Sequence, residues 1–171
     1  APMLRALSIL ILSLGLVHLH GSTAAAQLLY DGTGGSLPTD QGWAYLTDPL
    51  LGADATQSAS PAGVILDTTA TTGDSAGYFS TFHPQVPVLD RNAGYRLEFT
   101  AQVESEEHAS NDRAGFSLIA LSDDLLGIEL GFWEDEIWAQ SGADFQHAEG
   151  AAHDTTAGLI EYQLHVAGGT Y

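Results

Sequence analysis

The sequence predicts an all-β protein, a sandwich of two antiparallel sheets built as one domain. Three observations carry that expectation. Tyr95, Leu97, Phe99, Ala101 and Val103 alternate with Arg96, Glu98, Thr100, Gln102 and Glu104. A period of two sustained this long marks a half-buried strand with one wet face. Ile160, Tyr162, Leu164 and Val166 repeat the pattern against Glu161, Gln163 and His165. After residue 26, no segment keeps a 3.6-residue apolar period over three turns.

The remaining elements follow in chain order. Residues 27–30, 42–47, 63–67 and 77–82 read as short strands ahead of 95–104. Residues 114–121 and 127–133 are more continuously apolar and read as buried strands, followed by shorter ones at 136–140 and 145–148. Turn residues separate them: Asp31-Gly32-Thr33-Gly34-Gly35, Ser60-Pro61-Ala62-Gly63, Thr72-Gly73-Asp74, Asn92-Ala93-Gly94 and Ala167-Gly168-Gly169. Glycine supplies positive φ at such points, and Asp or Asn bonds its own backbone. Short strands punctuated this regularly belong to sandwiches. No internal repeat or Pro/Ser-rich linker divides the chain.

The N-terminus carries a targeting signal. Arg5 precedes the apolar run Leu7–Val17, and Ala24-Ala25-Ala26 closes it. One positive charge, an apolar core and a small-residue exit make a secretory signal peptide over 1–26, cleaved after Ala26. The apolar core, roughly 13 residues, is short of the ~20 that a spanning helix needs. Export to an extracellular location is the functional expectation that follows, with the domain proper at 27–171.

The sequence has no Cys, which excludes disulfides, thiolate catalysis and thiolate metal ligands. Twenty-two acidic residues against four basic ones give a net charge of −18. Removing Arg5 with the leader makes it −19. Such a surface excludes nucleic acid and anionic lipid as partners, because both need cationic groups. Solubility in salty or hard water accounts for most of the acids, and Ca²⁺ binding by some of them is the alternative.

The C-terminus reads as truncated. Val166 ends a strand, Gly168-Gly169 turns the chain, and Thr170-Tyr171 resembles the start of a returning strand. Such a strand would normally close a sheet edge. The expectation is that one or more final strands are missing; the alternative is self-association through the open edge.

The order of Asp67-Thr68-Thr69, Gly77-Tyr78-Phe79, the strand at 95–104, Gly127–Phe132, Ile137-Trp138-Ala139-Gln140 and Asp154-Thr155-Thr156 before Tyr162 resembles the concanavalin A-like lectin/glucanase superfamily. More narrowly, it is similar to secreted bacterial jelly-roll domains of the choice-of-anchor type. The resemblance spans nearly all of 28–171. It implies a jelly-roll sandwich, and attachment to the cell surface through a C-terminal tail. It also implies a choice among adhesion, carbohydrate binding and carbohydrate-active catalysis, since one sandwich hosts them all. The superfamily's glucanases carry Glu-x-Asp-x-Glu along one strand. Aligned on Glu129, this chain puts Gly131 and Trp133 at the second and third carboxylate positions.

Candidate site residues follow from side-chain chemistry. Glu134 and Glu136 have the i, i+2 spacing that could supply a glycosidase carboxylate pair. The favoured reading of residues 133–136 is instead the exposed turn of a hairpin. Trp133, Trp138 and Glu129 are the candidates for carbohydrate, the indoles as stacking platforms and the carboxylate as acceptor. Trp133 shares the face of Glu129, opposite Ile128, Leu130 and Phe132, so it should be at least half-exposed. His147, Glu149, His153 and Asp154 could offer divalent-metal ligands, against a plain exposed loop. Glu106 and Asp112, in the acidic stretch 104–112, could offer oxygens to Ca²⁺. His83, before Pro84, reads as a turn residue. The favoured function is a secreted or cell-surface, non-catalytic module for adhesion or carbohydrate binding. A divergent glycoside hydrolase or lyase, and a subunit of an extracellular polymer, are the alternatives.

Overall fold

The computed structural model describes residues 13–14, 26–47, 55–70, 75–108, 110–112, 115–142 and 146–171. Its strands are β1 (Ser13–Leu14), β2 (Ala44–Thr47), β3 (Thr56–Ser60), β4 (Gly63–Asp67), β5 (Ala76–Phe79) and β6 (Tyr95–Ala101). They continue with β7 (Phe116–Leu121), β8 (Gly127–Phe132), β9 (Glu136–Gln140), β10 (His147–Ala152) and β11 (Ile160–Val166). Two 3-10 turns, Gly32–Gly34 and Pro38–Gln41, precede β2. No helix among the described residues is long and apolar enough to cross a membrane.

Every pairing is antiparallel. The sheets run β1–β6–β11 and β10–β9–β8–β7, with two smaller pairs, β2–β5 and β3–β4. The alternation at 95–101 sets the first sheet, with Tyr95, Leu97, Phe99 and Ala101 all buried. Its partner β11 pairs Tyr162 with Phe99, Leu164 with Leu97 and Val166 with Tyr95. Two apolar rows therefore lie side by side on one face.

The four-stranded sheet turns Phe116, Leu118 and Ala120 of β7 toward that face, with Ile128, Leu130 and Phe132 of β8 and Ile137 and Ala139 of β9. The sheets meet through rings. Phe132 lies edge-on to Phe99 at 6.0 Å and to Tyr162 at 5.3 Å. Phe99 and Tyr162 stack at 5.4 Å. The all-β, sandwich-like expectation holds, with β4 and the segment at Leu29-Tyr30 completing the core.

Several elements differ from expectation. Residues 27–30 form no strand. β3, Thr-Gln-Ser-Ala-Ser, is a strand the sequence does not announce, because its polar residues give no apolar alternation. Residues 116–121 are not buried on both faces: β7 is an outer strand, and Ile119 and Leu121 are exposed. The polar face of β6 is half-covered rather than wet, and there Arg96 Nη2 meets Glu98 Oε1 at 2.9 Å. His83 lies in a turn but is buried, its Nδ1 accepting the Gln85 N–H, with Trp43 edge-on at 5.6 Å. The segment 1–26, expected as a leader, falls almost wholly outside the described residues. Within it, Ser13 and Leu14 pair with Thr100 and Phe99. The turn at 72–74 also lies outside the described residues.

Tyr78 joins two of the sheets, its hydroxyl donating to Gln57 Oε1 at 2.7 Å. Burial, reinforced by the neighbouring Tyr45 and Tyr30, raises its pKa well above the ordinary value. Burial also raises Tyr30 and Tyr162. A raised native pKa makes its stability contribution complete below the unfolded-state value near 10. That contribution is lost as pH climbs from about 10 toward the native value. Chemical denaturation across pH should therefore give unfolding free energies that fall above pH ~10 and fall less in Tyr78→Phe.

Candidate functional site

Most of the sequence candidates converge on the face of the four-stranded sheet that points away from the core. Registers place Ser117 opposite Gly131, Gly131 opposite Trp138, and Trp138 opposite Gly150, a single row across four strands. Glu129 and Trp133 share this face. Trp138 lies in the row with a glycine on each side, and it is 2 % exposed. A Cβ added to Gly131 would sit 2.7 Å from both Cζ2 and Nε1 of that indole. Two more glycines act alike: Gly115 accommodates the side chain of Glu106, and Gly150 that of Glu136. Glycine within or beside a strand often marks such close approach.

Aromatic rings build the site above this bed. Trp133 lies 5.6 Å from Trp138. The His108 imidazole stacks on Trp133 with centroids 4.1 Å apart and planes 8° apart. His147 lies 5.1 Å from Trp133 at 19°, and 4.7 Å from Trp138. Each imidazole has a carboxylate. His108 Nδ1 is 3.0 Å from Glu106 Oε2 and 3.1 Å from Oε1, and the Glu106 side chain is only 7 % exposed. His147 Nε2 is 3.2 Å from Glu136 Oε1.

The hairpin joining β8 to β9 sets these positions. Trp133 N–H donates to Glu136 O at 2.9 Å, leaving Glu134 and Asp135 at the corner. Neither corner residue has positive φ, so the turn is not of the primed types whose twist suits two-residue hairpins. A neighbouring segment holds it instead. His153 N–H donates to Asp135 O, Thr155 N–H to Glu134 O, and Thr155 Oγ1 to Trp133 O at 2.6 Å. Thr155 is fully buried, and its carbonyl accepts Val103 N–H. Thr155→Val keeps the shape and removes the hydroxyl's hydrogen bond to the Trp133 carbonyl, so it should cost about 0.5–1.5 kcal/mol in denaturant unfolding. Thr155→Ser should recover most of that.

Glu106 and Asp112 are tied across the same face. Glu106 N–H donates to Glu134 Oε1 at 3.2 Å, and His147 N–H donates to Asp112 Oδ1 at 3.2 Å. Of the predicted residues, Glu106, Asp112, Glu134, Glu136, His147, Trp133 and Trp138 therefore come together. Glu149, His153 and Asp154 serve other contacts. Glu149 accepts the Tyr171 hydroxyl, and His153 Nε2 meets Tyr162 Oη at 3.4 Å. Asp154 accepts the Thr156 hydroxyl and N–H, which hold its carboxyl below the usual carboxylate range.

Among the described residues, no three His, Asp or Glu side chains converge to hold a metal ion. The sequence reading missed His108, twenty-five positions from the Trp133 it covers. The signal available was the run of glycines at 115, 131 and 150. Comparison with protein-family models, curated proteins and solved structures finds no match, so the site's geometry carries the functional argument.

Proposed function

We propose that the protein is a secreted or cell-surface module of the concanavalin A-like, jelly-roll type that binds carbohydrate without turning it over. The observation that supports this most is the stack of Trp133 with His108 and His147, beside Trp138, on the outward face of β8 and β9. Indole faces bind the apolar face of a pyranose, and adjacent carboxylates accept its hydroxyl protons. Glu129 shares the face as a further acceptor. The carboxylates that catalysis would need are engaged by the chain itself. Glu134 accepts the Glu106 N–H, and Glu136 pairs with His147. Gly131 and Trp133 occupy the positions where the glucanases carry their further carboxylates.

Binding to immobilised polysaccharides, with product analysis, tests the reading. Retention without release of oligosaccharides is expected, and retention should fall in Trp133→Ala. Release that disappears in Glu134→Gln or Glu136→Gln would establish the hydrolase instead. One observation favours assembly as a second reading: β7 is an outer strand that exposes Ile119 and Leu121. Concentration-dependent polymerisation with no glycan binding would support it.

A further inference from the structure

We infer that His108 occupies the ligand's own place on Trp133, and that the ligand it stands in for is an amino sugar. This inference rests on the carbohydrate-binding reading above. His108 presents two features together: a ring face parallel to the indole at 4.1 Å, and a ring-edge nitrogen 3.0 Å from the Glu106 carboxylate. An amino-substituted pyranose presents the same pair. Its apolar ring face covers Trp133, and its ammonium donates to Glu106. That carboxylate is buried and already aimed at a ring stacked on Trp133, with its backbone fixed by Glu134 and its side chain lying over Gly115.

Charge and an unmade bond point the same way. Glu134, Asp135, Glu136 and Asp112 rim the stack, and the described arginines pair elsewhere, Arg91 with Asp124 and Arg96 with Glu98. An acidic rim repels uronates and sulfated sugars and attracts an ammonium. A hydrogen bond between ammonium and carboxylate is roughly twice as strong as one between neutral groups. Beside the stack, the buried Trp138 Nε1 has no acceptor among the described residues. A buried donor left unpaired is costly, and a sugar hydroxyl entering beside Trp133 supplies what it lacks.

The test measures equilibrium binding of three β-1,4-linked trimers, of glucosamine, N-acetylglucosamine and glucose, near physiological ionic strength. Wild type is expected to prefer the glucosamine trimer. His108→Ala should tighten that binding about tenfold, the gain when a competitor that fills about nine-tenths of the sites is removed. Glu106→Gln should bring the ratio of glucosamine-trimer to glucose-trimer affinity down to about one. Thermal melts confirm that each variant folds, and His108→Asn repeats the test with a side chain that cannot stack as a ring. Unchanged or weaker binding in both His108 variants would overturn the inference. So would glucosamine binding that survives Trp133→Ala, which marks adsorption to the acidic surface. Neutral trimers that bind through Trp133 without preference for the amine would overturn this inference and leave the module reading standing. No binding by any trimer would overturn both.

Discussion

Phe99→Ala is expected to lower the unfolding free energy by about 3–5 kcal/mol, the range for large aromatic truncations in a core. Phe99 is 1 % exposed and sits on the central strand β6. Its ring touches Phe132 from the opposing sheet and Tyr162 from the adjacent strand. Deleting it removes apolar contact from both sheets at one point and leaves a void that rigid β-structure closes poorly. Phe99→Leu keeps most of the volume and should cost clearly less. Urea denaturation followed by far-ultraviolet circular dichroism reads both variants. Equal costs for the two would mean that filling the volume without the ring recovers nothing, against a cost set by the void.

Gly131→Ala should have the second largest effect, and it acts on the site as well as on the fold. The new methyl would overlap the Trp138 indole. That ring has Trp133 and His147 packed against it, so it cannot shift without moving the stack. Overpacking of this kind costs about 1–3 kcal/mol. Near-ultraviolet circular dichroism should change with it, because the coupled aromatic rings lose their fixed geometry, and glycan binding should fall in parallel. Gly142→Ala is the control, since a methyl there meets no atom within 4 Å.

Much of the fold was legible because alternation is a direct imprint of the pleat. Residues 95–101 and 160–166 show it, and the structure pairs them in full register. Glu136–Gln140 and Gly63–Asp67 also fall where expected. Alternation assigns a residue to one face of a strand, but it cannot say what covers that face. Trp138 was therefore open to reading as an exposed sugar platform, whereas glycines on both sides and neighbouring rings bury it. Arg96 and Glu98 likewise read as wet, and they are half-covered. The site itself depends on contacts between distant residues, Glu106 with Glu134 and His108 with Trp133, which no local pattern encodes. The hairpin at 133–136 was foreseen as one of two readings. Its support by Thr155, some twenty residues downstream, was not.

The carbohydrate-binding proposal puts a glycan on the outward face of β8 and β9, at Trp133. The sequence holds three tryptophans, so a ¹H–¹⁵N spectrum carries three indole N–H signals. Trp43 serves as the internal reference, its Nε1 donating to Leu29 O at 3.0 Å. Titration with the glucosamine or glucose trimer should move the signals of Trp133 and Trp138 together and leave that of Trp43 in place. Movement of Trp43 with Trp133 and Trp138 unmoved, or no movement of any indole, would contradict the account.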